Sequence, residues 1–194
     1  MHGALLHEVL MHGASMRDAR VDASQAQDPP VQGTPPVLTL AEIDIDEVAA
    51  LLARFDLQLE RVADGASIPG SYWGEPEAGI VAGTVFARAD TPVHSLLHEA
   101  AHLIVLPPER RAVVHTDATD SIEEEDAVLV LQSLLAEVLR GVGRERICAD
   151  MDAWGYTFRL GSARAYIEQD ADAAWAWLAA RGLVELPRRV LRLP

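Results

Sequence analysis

The chain has 194 residues, a formal net charge of −14 and a single cysteine, and 49% of its residues are hydrophobic. This length suffices for one domain with its own core. The acidic balance argues against a nucleic-acid partner, because binding phosphates requires a basic face. No apolar run approaches the length of a membrane-spanning helix, so no membrane partner is expected. The lone cysteine excludes an internal disulfide, and the N-terminus lacks a convincing signal peptide, which favours a cytoplasmic location.

The first part of the chain predicts a linker followed by a folded domain. Residues 17–37 are polar and rich in proline, so we interpret residues 1–37 as a flexible N-terminal segment and linker. A single domain is predicted over residues 38–194. The first element expected in it is a helix over residues 41–55, where apolar residues recur at helical spacing.

A small β-sheet and then a helical half are predicted next. Alternation over residues 57–62 indicates a strand, and residues 80–82 and 84–88 indicate two strand segments around Gly83. Those two segments form either a pair or one strand with a bulge. After them the pattern is mainly helical, which makes the fold class α+β. The later helices are predicted over residues 121–140, 144–154 and 162–181.

Residues 98–102 read His-Glu-Ala-Ala-His, which is the H-E-x-x-H pattern of zinc hydrolases. On a helix, positions four residues apart lie on one face, so His98 and His102 can bind one Zn²⁺. Glu99 follows the first histidine, where its carboxylate can take a proton from a water that the metal polarises. The pattern therefore predicts two metal ligands and a catalytic base.

The residues around the motif predict the helix that it needs. Thr91 is a favourable N-cap and Pro92 suits the first helical position, while Pro107 and Pro108 end the helix. Leucine, isoleucine and alanine at three- and four-residue steps give this helix an apolar face. A buried helix that carries two histidines and a glutamate needs partners for them, and a metal ion would serve all three. The alternative is a surface helix on which these groups face water.

A catalytic zinc usually takes three protein ligands and a water, so a third ligand is required. Glu124 lies in line with the apolar stripe of the next helix, and we predict it as the third ligand with Glu125 in reserve. The alternative role for Glu124 is a capping box with Ser121. The stripe comprises Val128, Leu131, Leu135 and Val138.

Two further histidines lie near the motif. His115 is a third candidate for the remaining ligand, although its distance along the chain from His102 does not fit the H-E-x-x-H-x-x-G-x-x-H array. His94 precedes His98 by one helical turn, and one zinc cannot bind His94, His98 and His102 together. We expect His94 at the rim of the site, in a hydrogen bond that supports it, or as a solvated residue.

These residues resemble the compact gluzincin-type zinc metallopeptidases and a group of uncharacterised bacterial proteins with the same core. The resemblance covers roughly residues 70–140 and includes the Glu-x-x-Ala pattern that starts at Glu124. It implies a zincin-like domain with His98, His102 and Glu124 as zinc ligands and Glu99 as the base. The chain departs from related families at Val128, where an acidic residue is common.

The resulting hypothesis is hydrolysis of a peptide or amide bond in a peptide or protein substrate, with zinc as cofactor. Candidates for contacting substrate or stabilising the oxyanion are His115, Tyr72 and Tyr156. The edge of the small sheet is expected to hold an extended peptide through backbone hydrogen bonds. The alternative is a non-catalytic zinc-binding or interaction protein in which the motif is vestigial. The sequence leaves the oligomeric state open.

Overall fold

Helices dominate the part of the chain that the computed structural model describes, which comprises residues 37–72, 74–119 and 121–194. The predicted flexible segment lies outside these ranges except for residue 37. A short 3-10 helix, Leu40–Glu42, comes first. The α-helices of these ranges are α1 Ile45–Ala53, α2 Val93–Val105, α3 Pro108–Arg111, α4 Ile122–Glu137, α5 Arg144–Trp154, α6 Ala163–Gln169 and α7 Asp172–Ala180.

Two small sheets accompany these helices, which confirms the predicted α+β class. The first has the strand order β1-β3-β2, with β1 parallel and β2 antiparallel to β3. The segments on either side of Gly83 therefore pair as a hairpin, which decides between the two sequence-based alternatives. A C-terminal pair, β4 and β5, was not predicted. The strands are β1 Gln58–Arg61, β2 Gly79–Val81, β3 Thr84–Ala87, β4 Val184–Glu185 and β5 Val190–Leu191.

Helix α2 carries the H-E-x-x-H motif and is buried along its whole length. It begins one residue later than predicted, because Pro92 is the N-cap, with extended backbone angles. The hydroxyl of Thr91 accepts a hydrogen bond from the Arg88 amide at 3.0 Å and stabilises the preceding turn instead. Leu106 ends the helix in an extended conformation, as expected for a residue before proline.

Helix α4 is the central helix of the domain and packs against α2, α5 and α7. Its residues from Ala127 to Ala136 are all buried, so it has no single core-facing stripe. This corrects the sequence analysis, which treated four apolar positions of this helix as its one buried face. A helix buried on every side cannot indicate from apolar spacing alone which residue of its first turn points into a site.

The single helix predicted over residues 162–181 is two helices, α6 and α7, with a break at Asp170 and Ala171. The break brings Trp175 of α7 back onto the end of α6, where its indole nitrogen donates a hydrogen bond to the Ile167 carbonyl at 3.0 Å. Trp175 is almost fully buried there. Burial of this large side chain favours two packed helices over one continuous helix.

No helix in the described ranges combines the length and apolar character needed to cross a lipid bilayer. The helices instead pack around a common core that includes the inner face of the first sheet. Val85 of β3 and Ile80 of β2 are fully buried in this core. The sheet therefore supports α2 from one side while α4 supports it from the other.

A buried carboxylate attaches the start of the domain to α5. Asp150 is 4% exposed, and its two oxygens accept hydrogen bonds from the Leu38 amide at 3.0 Å and the Arg146 guanidinium at 2.8 Å. The Leu38 carbonyl in turn accepts a hydrogen bond from the Val93 amide at the start of α2. Asp150 thus holds the entering chain against the first turn of the motif helix.

We expect Asp150→Ala to lower the free energy of unfolding by about 2 kcal/mol, since hydrogen bonds to a charged group are lost and the Leu38 amide is left without its partner. Urea denaturation followed by circular dichroism measures this change. The control is Glu145→Ala on the same helix, where an exposed side chain forms a loose pair with Arg164 at 3.5 Å. Equal stability of the two variants would contradict the assigned role of Asp150.

Candidate metal site

The two motif histidines converge on one point beside α2. Because His98 and His102 are one helical turn apart, their imidazoles project from the same face. Their Nε2 atoms are 3.1 Å apart, and the ring planes are perpendicular with centroids 4.6 Å apart. Both side chains are buried. Two ring nitrogens at this distance either share one proton in a hydrogen bond or coordinate one cation together.

The third group that reaches this point is Glu125, from the first turn of α4. Its carboxylate oxygens lie 3.6 Å from His102 Nε2 and 3.9 Å from His98 Nε2. The three ligand atoms all lie within 4.8 Å of one another. Tetrahedral zinc with ligands at its usual bond lengths places ligand atoms about 3.3 Å apart. The separations of these three side chains are therefore compatible with the binding of one metal ion.

The preferred sequence-based ligand, Glu124, is directed elsewhere. Its carboxylate accepts hydrogen bonds from the Arg110 guanidinium at 2.7 and 3.2 Å. Burial by itself would raise the pKa of Glu124, but hydrogen bonds from Arg110 and Thr119 and the positive charge of Arg110 lower it overall. Glu124 is therefore an ion-paired carboxylate. Glu125, the reserve candidate from the sequence, occupies the third-ligand position that was predicted for Glu124.

The capping-box alternative for Glu124 is only half realised. The hydroxyl of Ser121 accepts a hydrogen bond from the Glu124 amide at 3.3 Å, as an N-cap should. The same hydroxyl donates to the carboxylate of Glu123 at 2.9 Å. The side chain of Glu124 therefore does not complete the capping box and contacts Arg110 instead. Arg110 lies on the short helix α3, which was not predicted from the sequence.

Gln132 orients His98, and this role was not predicted from the sequence. Its amide nitrogen donates to the His94 carbonyl at 3.2 Å, and its amide oxygen lies 3.1 Å from His98 Nδ1. Since a carbonyl can only accept, the amide orientation is determined and Nδ1 of His98 must donate its proton. The lone pair of His98 then resides on Nε2, the atom that faces His102 and Glu125. This is the tautomer that a metal ligand requires.

The sequence does contain a signal that points to Gln132 and Glu125. Gln132 is the one amide side chain among the apolar and small residues of the buried stretch of α4 from Ala127 to Ala136, and it lies seven residues after Glu125. Two helical turns separate the two positions, so they share a face. A buried glutamine that needs a partner marks the face of α4 directed toward the motif histidines, and that face begins with Glu125.

Glu99 lies on the neighbouring face of α2 and is 8% exposed. One turn earlier, the hydroxyl of Ser95 accepts a hydrogen bond from the Ala78 amide at 3.0 Å, immediately before β2. Ser95 and Glu99 share a face of the helix, so Glu99 is directed toward the side of the site that β2 borders. The histidines and the glutamate of the motif therefore lie on adjacent faces of one helix.

His94 is fully buried, which excludes the solvated position considered from the sequence. Neither of its ring nitrogens has a hydrogen-bond partner among the described residues. Burial lowers the pKa of His94 to about 3, so its imidazole is neutral. The ring packs against Trp154 and Tyr156, with centroid distances of 5.2 and 5.8 Å.

Of the three substrate or oxyanion candidates from the sequence, Tyr156 is the one beside the metal group, which comprises His98, His102 and Glu125. Its ring lies edge-on to His98, with centroids 6.4 Å apart. His115 is exposed at the outer side of β2, where its Nδ1 lies 2.7 Å from the Thr116 hydroxyl, and it is not part of the metal group found in the described residues. Tyr72 is 44% exposed in the loop before β2. The geometry therefore favours Tyr156 over His115 as the residue beside the metal.

The outer edge of β2 is bonded to other parts of the same chain. The Ile80 amide donates to the Gly70 carbonyl at 3.3 Å, and the Ile80 carbonyl accepts from the Thr116 amide at 3.0 Å. The Ala82 amide donates to the Val114 carbonyl at 2.8 Å. This corrects the expectation that the edge strand is open to hold an extended peptide, because these outward-facing groups already have partners.

Comparisons with protein-family models, curated proteins and solved structures found no match to this chain. The side chains that the site brings together are therefore the basis for a functional proposal.

We expect Glu125→Ala to weaken Zn²⁺ binding by more than about 100-fold, because a metal ligand is lost and even supporting hydrogen bonds are worth 10- to 100-fold. Glu124→Ala is the matched control, since it removes a neighbouring carboxylate that is paired with Arg110, and it should change the Kd less than about threefold. Competition titration with a chromophoric chelator measures both values. The reverse order of effects would reinstate Glu124 as the ligand.

Gln132→Leu should raise the Kd for Zn²⁺ by about 10- to 100-fold, since His98 loses the acceptor that selects its tautomer. Ser133→Ala is the control, because Ser133 is buried on the same helix and bonds only its own helix through the Val130 carbonyl at 2.7 Å. The same titration applies. An unchanged Kd in Gln132→Leu would show that Gln132 does not orient the ligand.

Proposed function

We propose that this protein is a zinc-dependent metallopeptidase that resembles the gluzincin type. The observation that carries the proposal is the convergence of His98 Nε2, His102 Nε2 and the Glu125 carboxylate, with Glu99 on the adjacent face of the same helix. Two histidines and one carboxylate are a ligand set of catalytic zinc sites that leave one position for water or substrate. The orientation of His98 by Gln132 supports this assignment.

The donor set favours zinc among the common divalent ions. Imidazole nitrogen suits zinc, whereas magnesium and calcium prefer oxygen ligands throughout. When bound in such a site, zinc lowers the pKa of a water and polarises the carbonyl of the substrate. What the chain itself must supply is a base for the proton and a hydrogen-bond donor for the negative charge that develops on the carbonyl oxygen.

Glu99 is the base. Its carboxylate accepts the proton of the attacking water and delivers it to the nitrogen of the leaving amine. The position of Glu99 next to His98 brings it to the site without making it one of the three converging ligand groups. A purely structural metal site needs no base, so a glutamate at this position favours catalysis over the alternative of a vestigial, non-catalytic site.

Tyr156 is the donor that this geometry favours for the carbonyl oxygen. Its ring lies against both His94 and His98, on the segment that follows α5. A tyrosine hydroxyl can donate a hydrogen bond to an oxyanion, while the apolar ring of the same side chain packs into the wall of the site. The peptide substrate is then positioned on this side of α2, since the outer edge of β2 is bonded to the chain itself.

We expect Glu99→Gln in the zinc-loaded protein to reduce hydrolysis of a quenched peptide library by about 100-fold or more, as loss of a general base does. Its zinc content should stay near one ion per chain by elemental analysis. Glu123→Gln, a change of a carboxylate outside the metal group, is the control and should leave hydrolysis unchanged. Zinc binding without hydrolysis by the unaltered protein would favour a non-catalytic zinc-binding protein. Absence of zinc binding would refute the peptidase proposal and favour an interaction protein with a vestigial motif.

A further inference from the structure

Three aromatic side chains form a continuous row beside the metal group. The aromatic row comprises Tyr156, Phe158 and Tyr166. The Tyr156 and Phe158 rings stack with an interplanar angle of 10° and centroids 6.4 Å apart, and the Phe158 and Tyr166 rings stack at 28° and 5.5 Å. All three side chains are partly buried, so each packs on the core and keeps an accessible portion. Stacked rings in series make a rigid apolar surface.

The row begins beside the metal group and ends near the start of α4. At one end Tyr156 lies edge-on to the ligand His98. At the other end the Tyr166 hydroxyl is hydrogen-bonded to the carboxylate of Asp126, the residue that follows the ligand Glu125. The row is therefore held at both ends, by the contact with His98 on α2 and by the hydrogen bond to Asp126 near the start of α4. The end at Tyr156 lies beside the metal group, where the side chain of a substrate can contact it.

The charged groups near the row have partners of their own. Asp126 is bonded to the Tyr166 hydroxyl, and Glu124 is paired with Arg110. Arg159, next to Phe158, is paired with Asp170. These pairings leave the accessible parts of the aromatic rings as the apolar surface of this row, and aromatic surface favours apolar and aromatic groups.

We propose that the aromatic row is the specificity wall of the site and selects peptides with an apolar, above all aromatic, side chain next to the scissile bond. The inference rests on the proposed peptidase function and deepens it by naming the substrate class. The wall acts on the substrate side chain, while the metal group and Glu99 act on the peptide bond. In hydrophobic binding sites a difference of one apolar group typically changes discrimination by about 10- to 200-fold, and we expect an effect in this range here.

The test uses short peptide hydroxamates that differ only in the side chain next to the metal-binding group, which is Phe, Leu, Lys or Asp. Calorimetry on the zinc-loaded full chain should show the Phe compound binding at least about 10-fold more tightly than the Lys and Asp compounds. Equal affinities across the series would overturn the inference. Tighter binding of the Lys compound would also overturn it, because the acidic residues around the site would then set the preference.

Phe158→Ala tests the row directly, since Phe158 has no hydroxyl and no place in the metal group. We expect it to reduce the preference for Phe over Asp by at least about fivefold with unchanged zinc content. Leu160→Ala on the same connecting segment is the control, because Leu160 is exposed, and it should keep the preference. An equal loss of affinity for every compound would indicate that Phe158 only packs the fold. Should Phe158→Ala fail to fold, Phe158→Leu replaces it and should specifically weaken the preference for Phe over Leu.

Cleavage of a peptide library by the unaltered protein distinguishes failure of the specificity wall from failure of the proposed peptidase function. Cleavage concentrated next to Phe, Tyr or Leu supports both the function and the specificity wall. Cleavage without that concentration overturns the wall and leaves the peptidase function standing. No cleavage of any peptide by the zinc-loaded protein overturns both.

Discussion

The structure depends on a chain of hydrogen bonds that joins α2 to α4 through buried polar side chains. Gln132 donates to the His94 carbonyl and accepts from His98, so a single amide connects the backbone of the motif helix to one of its imidazoles. Polar groups buried between helices destabilise the fold unless each has a partner with good geometry. Gln132 and Glu125 lie two turns apart on one face of α4, so the rotation of α4 that gives Gln132 its partners also brings Glu125 to the two histidines.

The electrostatics of the first turn of α4 follow from that rotation. The turn contains three consecutive glutamates, and like charges so close repel one another unless each is separately compensated. The structure separates them by direction: Glu123 bonds to the Ser121 hydroxyl, Glu124 to Arg110, and Glu125 points to the histidines. Because the other two carboxylates have their own partners, Glu125 is the one glutamate of this turn that reaches the two histidines. Two imidazoles and one carboxylate form a donor set that can hold a divalent cation.

The elements around the helix pair restrict how a substrate can approach. On one side, Ser95 of α2 accepts from the Ala78 amide and the outer edge of β2 is bonded to the chain itself. On the other side, the segment after α5 places Tyr156 against His98 and begins the aromatic row. The Asp150 contact with Leu38 holds the entering chain against the start of α2. The side of α2 where the aromatic rings lie is therefore the side on which we propose that a substrate binds.

The amino-acid sequence alone determined the motif helix and the identity of its two histidines and glutamate, because a four-residue step places side chains on one helical face wherever the helix packs. It also determined the α+β class and the existence of the strands around Gly83, since these follow from local periodicity and breakers. Only the tertiary structure decided between Glu124 and Glu125. That choice depends on the rotation of a helix buried on every side and on Arg110, which reaches Glu124 from a short helix fourteen residues earlier. The aromatic row likewise depends on non-local packing, because the segment after α5 is brought to α2 by contacts that no local pattern encodes.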